Sequence, residues 1–282
     1  MLRSLLLLAG LSLPLTAAAA TTINVTNHLA YAANLGWVDG CGDSTDGAVI
    51  GESFCSGYIY SANVGWIRLG SGAPANQIQY QNNAADFGVN HDGQGNLRGY
   101  AYGANIGWIN FENTGAARVD LLTGKLSGYA YSANCGWISL SNSVAFVQTD
   151  TIQRAPLARN GLPFPWLLTN FGTTAVDASA DPDADGQSNA QEYLAGTDPN
   201  ADTDVLSITS FKRNLIAPDY NQFTWSSKPT RFYAVQYAST LEASSTWTDY
   251  GYFSFPGVSA TGFFDANPQR FYRIRAYRPL MP

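Results

Sequence analysis

A seven-residue phrase that occurs four times limits the fold more than any other feature of this chain. Five residue types, Tyr, Ala, Asn, Gly and Trp, keep their places in every copy. Apart from the alanine, they are Tyr31, Asn34, Gly36 and Trp37; Tyr60, Asn63, Gly65 and Trp66; Tyr102, Asn105, Gly107 and Trp108; Tyr131, Asn134, Gly136 and Trp137. The tryptophans follow one another at intervals of 29, 42 and 29 residues. Self-similarity of this kind predicts a repeat architecture, in which one unit cannot bury its apolar face without a neighbour.

Each copy predicts a strand, a turn and a second strand. Three copies are preceded by a Gly-Tyr-x pattern that places two tyrosines on one face of an extended strand. The Ala-Asn-x-Gly segment reads as a turn, because asparagine and glycine tolerate positive φ. The residue between them is always apolar and should point inward: Leu35, Val64, Ile106 and Cys135. These patterns predict a β domain built as a solenoid or as a stack of hairpins.

The repeated aromatic and amide residues have two interpretations. In the first, tyrosines and tryptophans stack in a core and asparagines form a ladder at the bends, because aromatic side chains dominate core burial. This scaffold is compatible with self-association, since a repeat stack leaves open edges. In the second, the rings form a stripe that binds sugar or peptide. Solvent exposure of Trp66 and Trp108 would separate the two.

The N-terminus has the features of a secretory signal over residues 1–20. Arg3 gives a positive start, an apolar run follows from Leu5 to Leu15, and Ala18, Ala19 and Ala20 supply small residues for cleavage. The run is shorter than the roughly 20 apolar residues that cross a bilayer. We therefore expect a secreted or cell-surface protein without a membrane span.

Charge and motif content disfavour two broad functions. The net charge of −6 argues against nucleic acid, which selects basic patches. The chain has only two histidines and no recognisable triad, zinc-protease or phosphate-loop motif, so we predict no enzymatic activity. Paired carboxylates for glycoside hydrolysis are the remaining catalytic option, with scattered candidates: Glu52, Asp86, Asp92 and Glu112.

The three cysteines are expected to play structural roles. Cys41 and Cys55 bracket a loop rich in glycine, aspartate and serine, and in an exported protein this spacing predicts a disulfide. Metal binding by the pair is disfavoured, because no histidine lies near them in the sequence. Cys135 occupies an apolar position of the repeat and is expected to be a small buried residue.

The most specific signal is an acidic loop of twelve residues from Asp181 to Glu192. Calcium takes six to eight oxygen ligands, which such a loop supplies from positions 1, 3, 5, 7, 9 and 12, with glycine at position 6. The predicted ligands are Asp181, Asp183, Asp185, the carbonyl of Gln187, Asn189 and Glu192, and Gly186 is the turn glycine. Calcium is therefore the predicted bound ion. Asp198, Asp202 and Asp204 follow closely and leave open a second site.

The chain divides into four predicted segments: a signal peptide at 1–20, the repeat β domain at 21–148, a linker with the EF-hand-like calcium loop at 149–204, and a small β-sandwich domain at 205–282. Short helices are expected before Gly172 and Gly196 in the linker. The last segment predicts six or seven short alternating strands, which favours a sandwich. The fold class is therefore mainly β.

The repeat phrase resembles that of exported bacterial proteins with Gly-Tyr-Ala-Trp-x-x-Asn-x-Gly-Trp-Ile units. The segment from Asp181 to Pro199 resembles the thrombospondin type 3 or dockerin-like calcium motif, and the C-terminal segment is similar to sandwiches in surface proteins of Verrucomicrobia-like bacteria. The resemblance implies an extracellular fibre, matrix or surface component and nothing catalytic. We therefore expect a calcium-binding structural protein that associates with itself or with other surface proteins. The alternative is an adhesin that binds polysaccharide through the repeat tyrosines and tryptophans.

Overall fold

The computed structural model describes most of the chain after the predicted signal: residues 21–42, 45–214, 216–242, 244–252, 257, 259–267 and 269–280. The secretory signal predicted at 1–20 lies outside the described residues. The prediction of a mainly β protein is confirmed, since strands far outnumber helices. Neither described helix has the length and apolar character that crossing a membrane requires.

The first half of the chain contains fourteen of the described strands. They are β1 (Ile23–Ala32), β2 (Gly36–Asp39), β3 (Val49–Ile50), β4 (Cys55–Ser56), β5 (Tyr58–Ser61), β6 (Gly65–Arg68), β7 (Val89–His91), β8 (Leu97–Gly103), β9 (Gly107–Asn110), β10 (Arg118–Val119), β11 (Leu126–Ser127), β12 (Tyr129–Ser132), β13 (Gly136–Ser139) and β14 (Val147–Thr149).

Each repeat phrase forms a β-hairpin whose tip is the asparagine–glycine turn. The hairpins are β1–β2, β5–β6, β8–β9 and β12–β13, and neighbouring hairpins pair edge to edge. Strand β13 then pairs back with β1, which closes an eight-stranded barrel. This arrangement differs from the predicted solenoid or open stack. Closure pairs the edges that an open stack would leave exposed.

The barrel interior is narrow, and this decides which face of each strand points inward. An eight-stranded barrel leaves an interior just wide enough for side chains to fill. A β-branched residue follows each tryptophan and is buried: Val38, Ile67, Ile109 and Ile138. The second residue of each phrase is small and also buried: Ala32, Ser61, Gly103 and Ser132. The tyrosines and tryptophans alternate with these residues and therefore face outward.

The apolar residue of each turn behaves as predicted. Leu35, Ile106 and Cys135 are buried, and Val64 is partly buried against the same core. Beyond the hairpins the core continues through short paired segments, including β3–β4 and β10–β11. Its apolar side chains surround a cavity of about 60 Å³.

The second half contains two helices and six strands among the described residues. They are α1 (Phe164–Phe171), α2 (Asn189–Ala195), β15 (Ile208–Arg213), β16 (Tyr220–Trp225), β17 (Phe232–Ala238), β18 (Thr248–Tyr252), β19 (Ala260–Phe264) and β20 (Phe271–Tyr277). Both helices end at left-handed glycines, Gly172 and Gly196, as the sequence predicts. The strands form two antiparallel sheets, β15–β16–β19 and β18–β17–β20. Buried residues of both sheets, including Trp225 and Tyr233, share one apolar cluster.

The disulfide predicted between Cys41 and Cys55 is not formed in the structure. Both thiols are free, as is that of Cys135. Cys55 is buried in the barrel core, and burial raises the pKa of its thiol to about 12. Cys41 is only half-buried, and its amide is fixed by the carboxylate of Asp39 at 2.8 Å. The two cysteines therefore occupy different environments despite their favourable spacing in the sequence.

Candidate functional site

The four turn asparagines form a closed ring of hydrogen bonds at one end of the barrel. Each side-chain amide donates to the backbone carbonyl of the preceding hairpin's turn. The bonds are Asn63 to Leu35 at 2.8 Å, Asn105 to Val64 at 3.0 Å, Asn134 to Ile106 at 2.9 Å and Asn34 to Cys135 at 3.3 Å. Each of these bonds joins two different hairpins. The asparagines therefore contribute to barrel closure.

The repeat glycines allow this ring to form. Each adopts positive φ, between 75° and 79°. A Cβ at Gly36 would lie 3.4 Å from the amide nitrogen of Asn63, and one at Gly107 would lie 3.5 Å from that of Asn134. These are ordinary contact distances, so the glycine is required by the turn conformation rather than by the space beside the amide.

The tyrosine and tryptophan of each phrase form a pair on the outer surface of the barrel. The two residues are direct cross-strand partners in every hairpin. Their ring centroids are 4.9–5.0 Å apart and their planes are inclined by 59–64°. The tryptophans Trp37, Trp66, Trp108 and Trp137 are 45, 44, 47 and 46% exposed. We call these four pairs the aromatic belt, and the prediction that they lie in a core is wrong.

Three hairpins extend the belt with a second tyrosine. Tyr58, Tyr100 and Tyr129 lie 6.1–6.2 Å from Trp66, Trp108 and Trp137, respectively. The first hairpin has Leu29 at this position. Phe87 adds a further ring 4.7 Å from Trp108. The belt therefore presents similar but not identical apolar surfaces on the four sides of the barrel.

A different polar residue lies beside each aromatic pair. The residue two places after each tryptophan is the cross-strand partner of the next hairpin's tyrosine. These pairs are Asp39 with Tyr60, Arg68 with Tyr102, Asn110 with Tyr131 and Ser139 with Tyr31. Sequence reasoning missed this set, although its fixed position after the tryptophan was a usable signal.

One pair borders a defined pocket. Tyr131 and Trp137 line a pocket of about 190 Å³ together with Asn110 and Glu112. The Asn110 side-chain oxygen accepts the Glu112 amide at 2.6 Å, which fixes the amide oxygen and the loop beside the rings. The pocket thus combines two apolar rings with an amide and a carboxylate.

The acidic loop brings its carboxylates together as predicted. Carboxylate oxygens of Asp181, Asp183 and Asp185 lie within 4.8 Å of one another. The Asp181 carboxylate accepts the Gly186 amide at 2.9 Å, and Asp185 accepts the Gln187 amide at 2.7 Å. These bonds fold the backbone tightly around the carboxylates.

The remaining predicted ligands leave buried oxygen atoms without hydrogen-bond partners. Glu192 is fully buried, and neither of its carboxylate oxygens has a partner. The same is true of one oxygen each of Asp183 and Asp185 and of the Asn189 amide oxygen. The Gln187 side chain bonds the Leu206 carbonyl, which is compatible with the predicted use of its own backbone carbonyl. Buried oxygens without partners are costly unless a cation or proton compensates them.

The negative charge around the acidic loop also favours a bound cation or proton. Burial, followed by the charges of Asp183, Asp185 and other acidic neighbours, raises the pKa of Glu192 to about 7. Burial and neighbouring aspartates also raise the pKa of Asp183. An oxygen-rich, negatively charged donor set fits calcium chemistry, because hard cations bind carboxylate, amide and carbonyl oxygens.

The three later aspartates do not form a comparable cluster within the described residues. Asp204 makes an ion pair with Lys228 and accepts the Asp198 amide at 3.0 Å. Asp198 itself accepts the Asn200 amide, and Asp202 is exposed. These partners leave the possible second calcium site without structural support.

Helix α2, which contains Glu192, contacts both halves of the molecule. The Tyr193 hydroxyl donates to Glu52 of the barrel at 3.2 Å. The guanidinium of Arg231, from the C-terminal sheets, donates to the carbonyls of Tyr193 and Leu194 at 2.7 Å each. An ion at the acidic loop would therefore hold a helix that joins the barrel to the final segment.

The scattered carboxylates considered for catalysis have other partners. Glu52 forms an ion pair with Arg278 and accepts the Ala155 amide at 2.7 Å. Asp86 accepts the amide of Gln81 at 3.1 Å, and Asp92 binds the side chain of Asn96 at 2.6 Å. Glu112 is the one that lies beside the aromatic belt, in the pocket of Trp137.

Comparisons with protein-family models, with curated proteins and with solved structures gave no match to this chain.

Proposed function

We propose that this chain is an exported glycan-binding protein in which the aromatic belt contacts sugar rings and the acidic loop binds a structural calcium ion. The single observation that carries the proposal is the exposure of all four repeat tryptophans, at 44–47%. Exposed apolar surface at regular positions marks interaction sites. This is the alternative function expected from the sequence, and the geometry favours it over a purely structural role.

The chemistry of the belt suits carbohydrate. A pyranose ring has apolar C–H faces that pack against the electron-rich faces of aromatic rings. Its hydroxyl groups need hydrogen-bond partners, which the residues beside each pair provide: Asp39, Arg68, Asn110 and Ser139. Four similar surfaces around one barrel would bind repeating units of a polysaccharide, so weak sites would combine into stronger overall binding.

The calcium part of the proposal is supported by the buried, unpartnered oxygens of the acidic loop. Asp181, Asp183, Asp185, the Gln187 carbonyl, Asn189 and Glu192 are the proposed ligands. Calcium would neutralise the charge around Glu192 and hold α2 against Glu52 and Arg231. Its proposed role is to stabilise the junction between the barrel and the C-terminal sheets.

Binding to a panel of soluble polysaccharides, measured by affinity electrophoresis and then by calorimetry, tests the proposal. We expect at least one polysaccharide to bind. Trp137→Ala should weaken binding about tenfold at its site, or roughly 1.4 kcal/mol. Phe264→Ala is the matched control, because it removes a 65% exposed aromatic residue outside the belt. Absence of binding across the panel, or equal loss in both variants, would contradict the proposal.

A self-assembling structural role is the second candidate, and the belt rather than an open repeat edge would be its contact surface. Barrel closure removes the open stack that first motivated it. Sedimentation of the full chain over a range of concentrations, with calcium and with EDTA, tests this role. Monomers under all conditions would exclude it, whereas assembly that Trp66→Ala abolishes would support it.

A further inference from the structure

Three different metal-ligand side chains meet at the base of the first hairpin. His28 lies on β1, Asp39 ends β2 and Cys41 follows it. The imidazole, carboxylate and thiol donor atoms lie within 4.8 Å of one another. The His28 Nδ1 is 2.6 Å from Asp39 Oδ1, which also accepts the Cys41 amide at 2.8 Å. The fold thus places beside Cys41 a histidine that the sequence separates from it by thirteen residues.

The other three hairpins provide an internal comparison for this cluster. The carbonyl of His28 accepts the amide of Gly40 at 2.7 Å, and Gly57, Gly99 and Gly128 make the equivalent bonds at 3.0, 2.8 and 3.0 Å. His28 therefore occupies the position of a glycine in each sister hairpin.

The residues that contact His28 also differ from those at the same positions of the other three hairpins. By the same alignment, Asp39 corresponds to Arg68, Asn110 and Ser139, and Cys41 corresponds to Gly70, Glu112 and Ser141. The hairpin scaffold forms three times without this combination of side chains. Its presence in the first hairpin thus has no explanation in barrel folding alone.

The donor set defines the class of ion. An imidazole nitrogen, a carboxylate oxygen and a thiolate sulfur suit zinc and similar borderline-soft ions, whereas calcium and magnesium prefer oxygen alone. Zinc bonds of about 2.0–2.3 Å place tetrahedral donors roughly 3.3–3.8 Å apart. For the His28 nitrogen and the Asp39 oxygen this separation is about 3.3–3.5 Å, so the two atoms would move roughly 0.7–0.9 Å apart as the metal takes the place of the proton between them.

Exposure and charge permit an ion to enter. The side chains of His28 and Asp39 are 26% and 34% exposed. The carboxylates of Asp39 and Asp150 both act on the Cys41 thiol, so its surroundings carry negative charge that attracts a cation. Asn24 binds the Asp150 carboxylate at 2.8 Å and fixes this second charge nearby.

We propose that His28, Asp39 and Cys41 bind a zinc-class divalent ion, with water as the fourth ligand. Binding releases the Cys41 thiol proton to solvent and leaves a metal–thiolate bond. The proton between His28 Nδ1 and Asp39 is exchanged through solvent to His28 Nε2, so His28 coordinates through Nδ1 as the neutral imidazole. This site is separate from the acidic loop and selects a different class of cation. It gives the first hairpin a function that its three sisters lack.

Cobalt titration of the full exported chain, with its thiols reduced by a phosphine, tests the site directly. We expect the absorption bands of tetrahedral cobalt and a sulfur-to-cobalt charge-transfer band, both removed by excess zinc. Cys41→Ser should abolish the charge-transfer band, and Cys135→Ser, which changes a cysteine in the turn of the fourth hairpin, should leave it unchanged. His28→Gly should weaken cobalt binding at least tenfold without unfolding the barrel, because the sister hairpins have glycine there.

Two results would overturn the proposal. One is a cobalt spectrum without the charge-transfer band in the reduced wild-type chain, or a band that persists in Cys41→Ser. The other is a disulfide between Cys41 and Cys55 in the chain purified without reductant, detected by peptide mass mapping. Thermal melting of each variant shows whether it is folded, so loss of binding can be assigned to the ligand.

Discussion

Replacing Asn63 with alanine should weaken barrel closure by a measurable amount. The Asn63 side chain is exposed, but it donates at 2.8 Å to the carbonyl of Leu35, which is a buried residue. One such hydrogen bond contributes about 1 kcal/mol net. The hairpins that it joins share a single register pair, Asp39 with Tyr60, so few other bonds compensate. For a barrel of this size the loss corresponds to roughly 3–6 °C in melting temperature.

The loss of stability on alanine substitution should differ between Asn63 and Asn105. Asn105 donates at 3.0 Å to the carbonyl of Val64, which is only partly buried, so water can replace the lost donor more easily than at the buried Leu35. Asn105→Ala should therefore destabilise the barrel less than Asn63→Ala. Asn63→Asp keeps the shape of the side chain but removes the donor, and should destabilise at least as much as alanine. This variant separates the hydrogen bond from simple packing.

Thermal unfolding followed by near-ultraviolet circular dichroism is the suitable assay, because the tyrosine–tryptophan pairs report on the barrel. All variants should be compared in calcium at one protein concentration. An Asn63→Ala melting temperature within 1 °C of wild type would refute the role of the ring, as would a larger effect at Asn105.

Three further predictions concern calcium, pH and the turn glycines. Calcium should raise the melting temperature and EDTA should reverse the increase, whereas Glu192→Gln should remove most of the response; an unchanged wild-type melt would contradict the calcium assignment. In saturating calcium, stability should fall as pH decreases below about 6.5. Burial lowers the pKa of His91 from its ordinary value of 6.5, so the unfolded chain binds the proton at a higher pH than the folded chain does. His91→Gln should flatten this dependence in melting temperatures measured over a pH series. Gly107→Ala should destabilise the barrel by about 1–2 kcal/mol in urea unfolding, because its φ of +75° is a conformation that residues with a Cβ rarely adopt; an unchanged urea midpoint would contradict this requirement.

Local features of the repeat could be predicted from the sequence. The two-residue spacing of the tyrosines showed that they share a face, and the asparagine–glycine pair located the turns. The apolar position at Leu35 and Ile106 was expected to point inward, and both residues are buried. Each of these features depends on a few neighbouring residues, so local geometry was sufficient.

Barrel closure and the outward direction of the rings could not be predicted in the same way. Closure depends on Tyr31 meeting Ser139, a pairing across the whole repeat region that no local pattern specifies. Both faces of each strand are apolar, because isoleucine alternates with tryptophan, and alternation alone does not say which is inside. The small buried residues at Ser61 and Ser132 were the available signal, since they indicate a narrow interior.

The two proposed metal sites show the same contrast. The acidic loop was identified because its proposed ligands follow one another at fixed spacing from Asp181 to Glu192. The cluster at His28 was missed because β1 and β2 must pair before His28 reaches Asp39 and Cys41. Aligning His28 with the sister glycines would have marked it as unusual, but not as a neighbour of Cys41.

Hydroxyl-radical footprinting of the repeat tryptophans tests the central claim most directly. In the free, calcium-loaded chain, Trp37, Trp66, Trp108 and Trp137 should all oxidise rapidly, whereas Trp225, which is 2% exposed, should be protected. A polysaccharide that binds should then protect the belt without changing Trp225. Repeat tryptophans as protected as Trp225 in the free chain, or equally reactive with and without bound polysaccharide, would contradict the account.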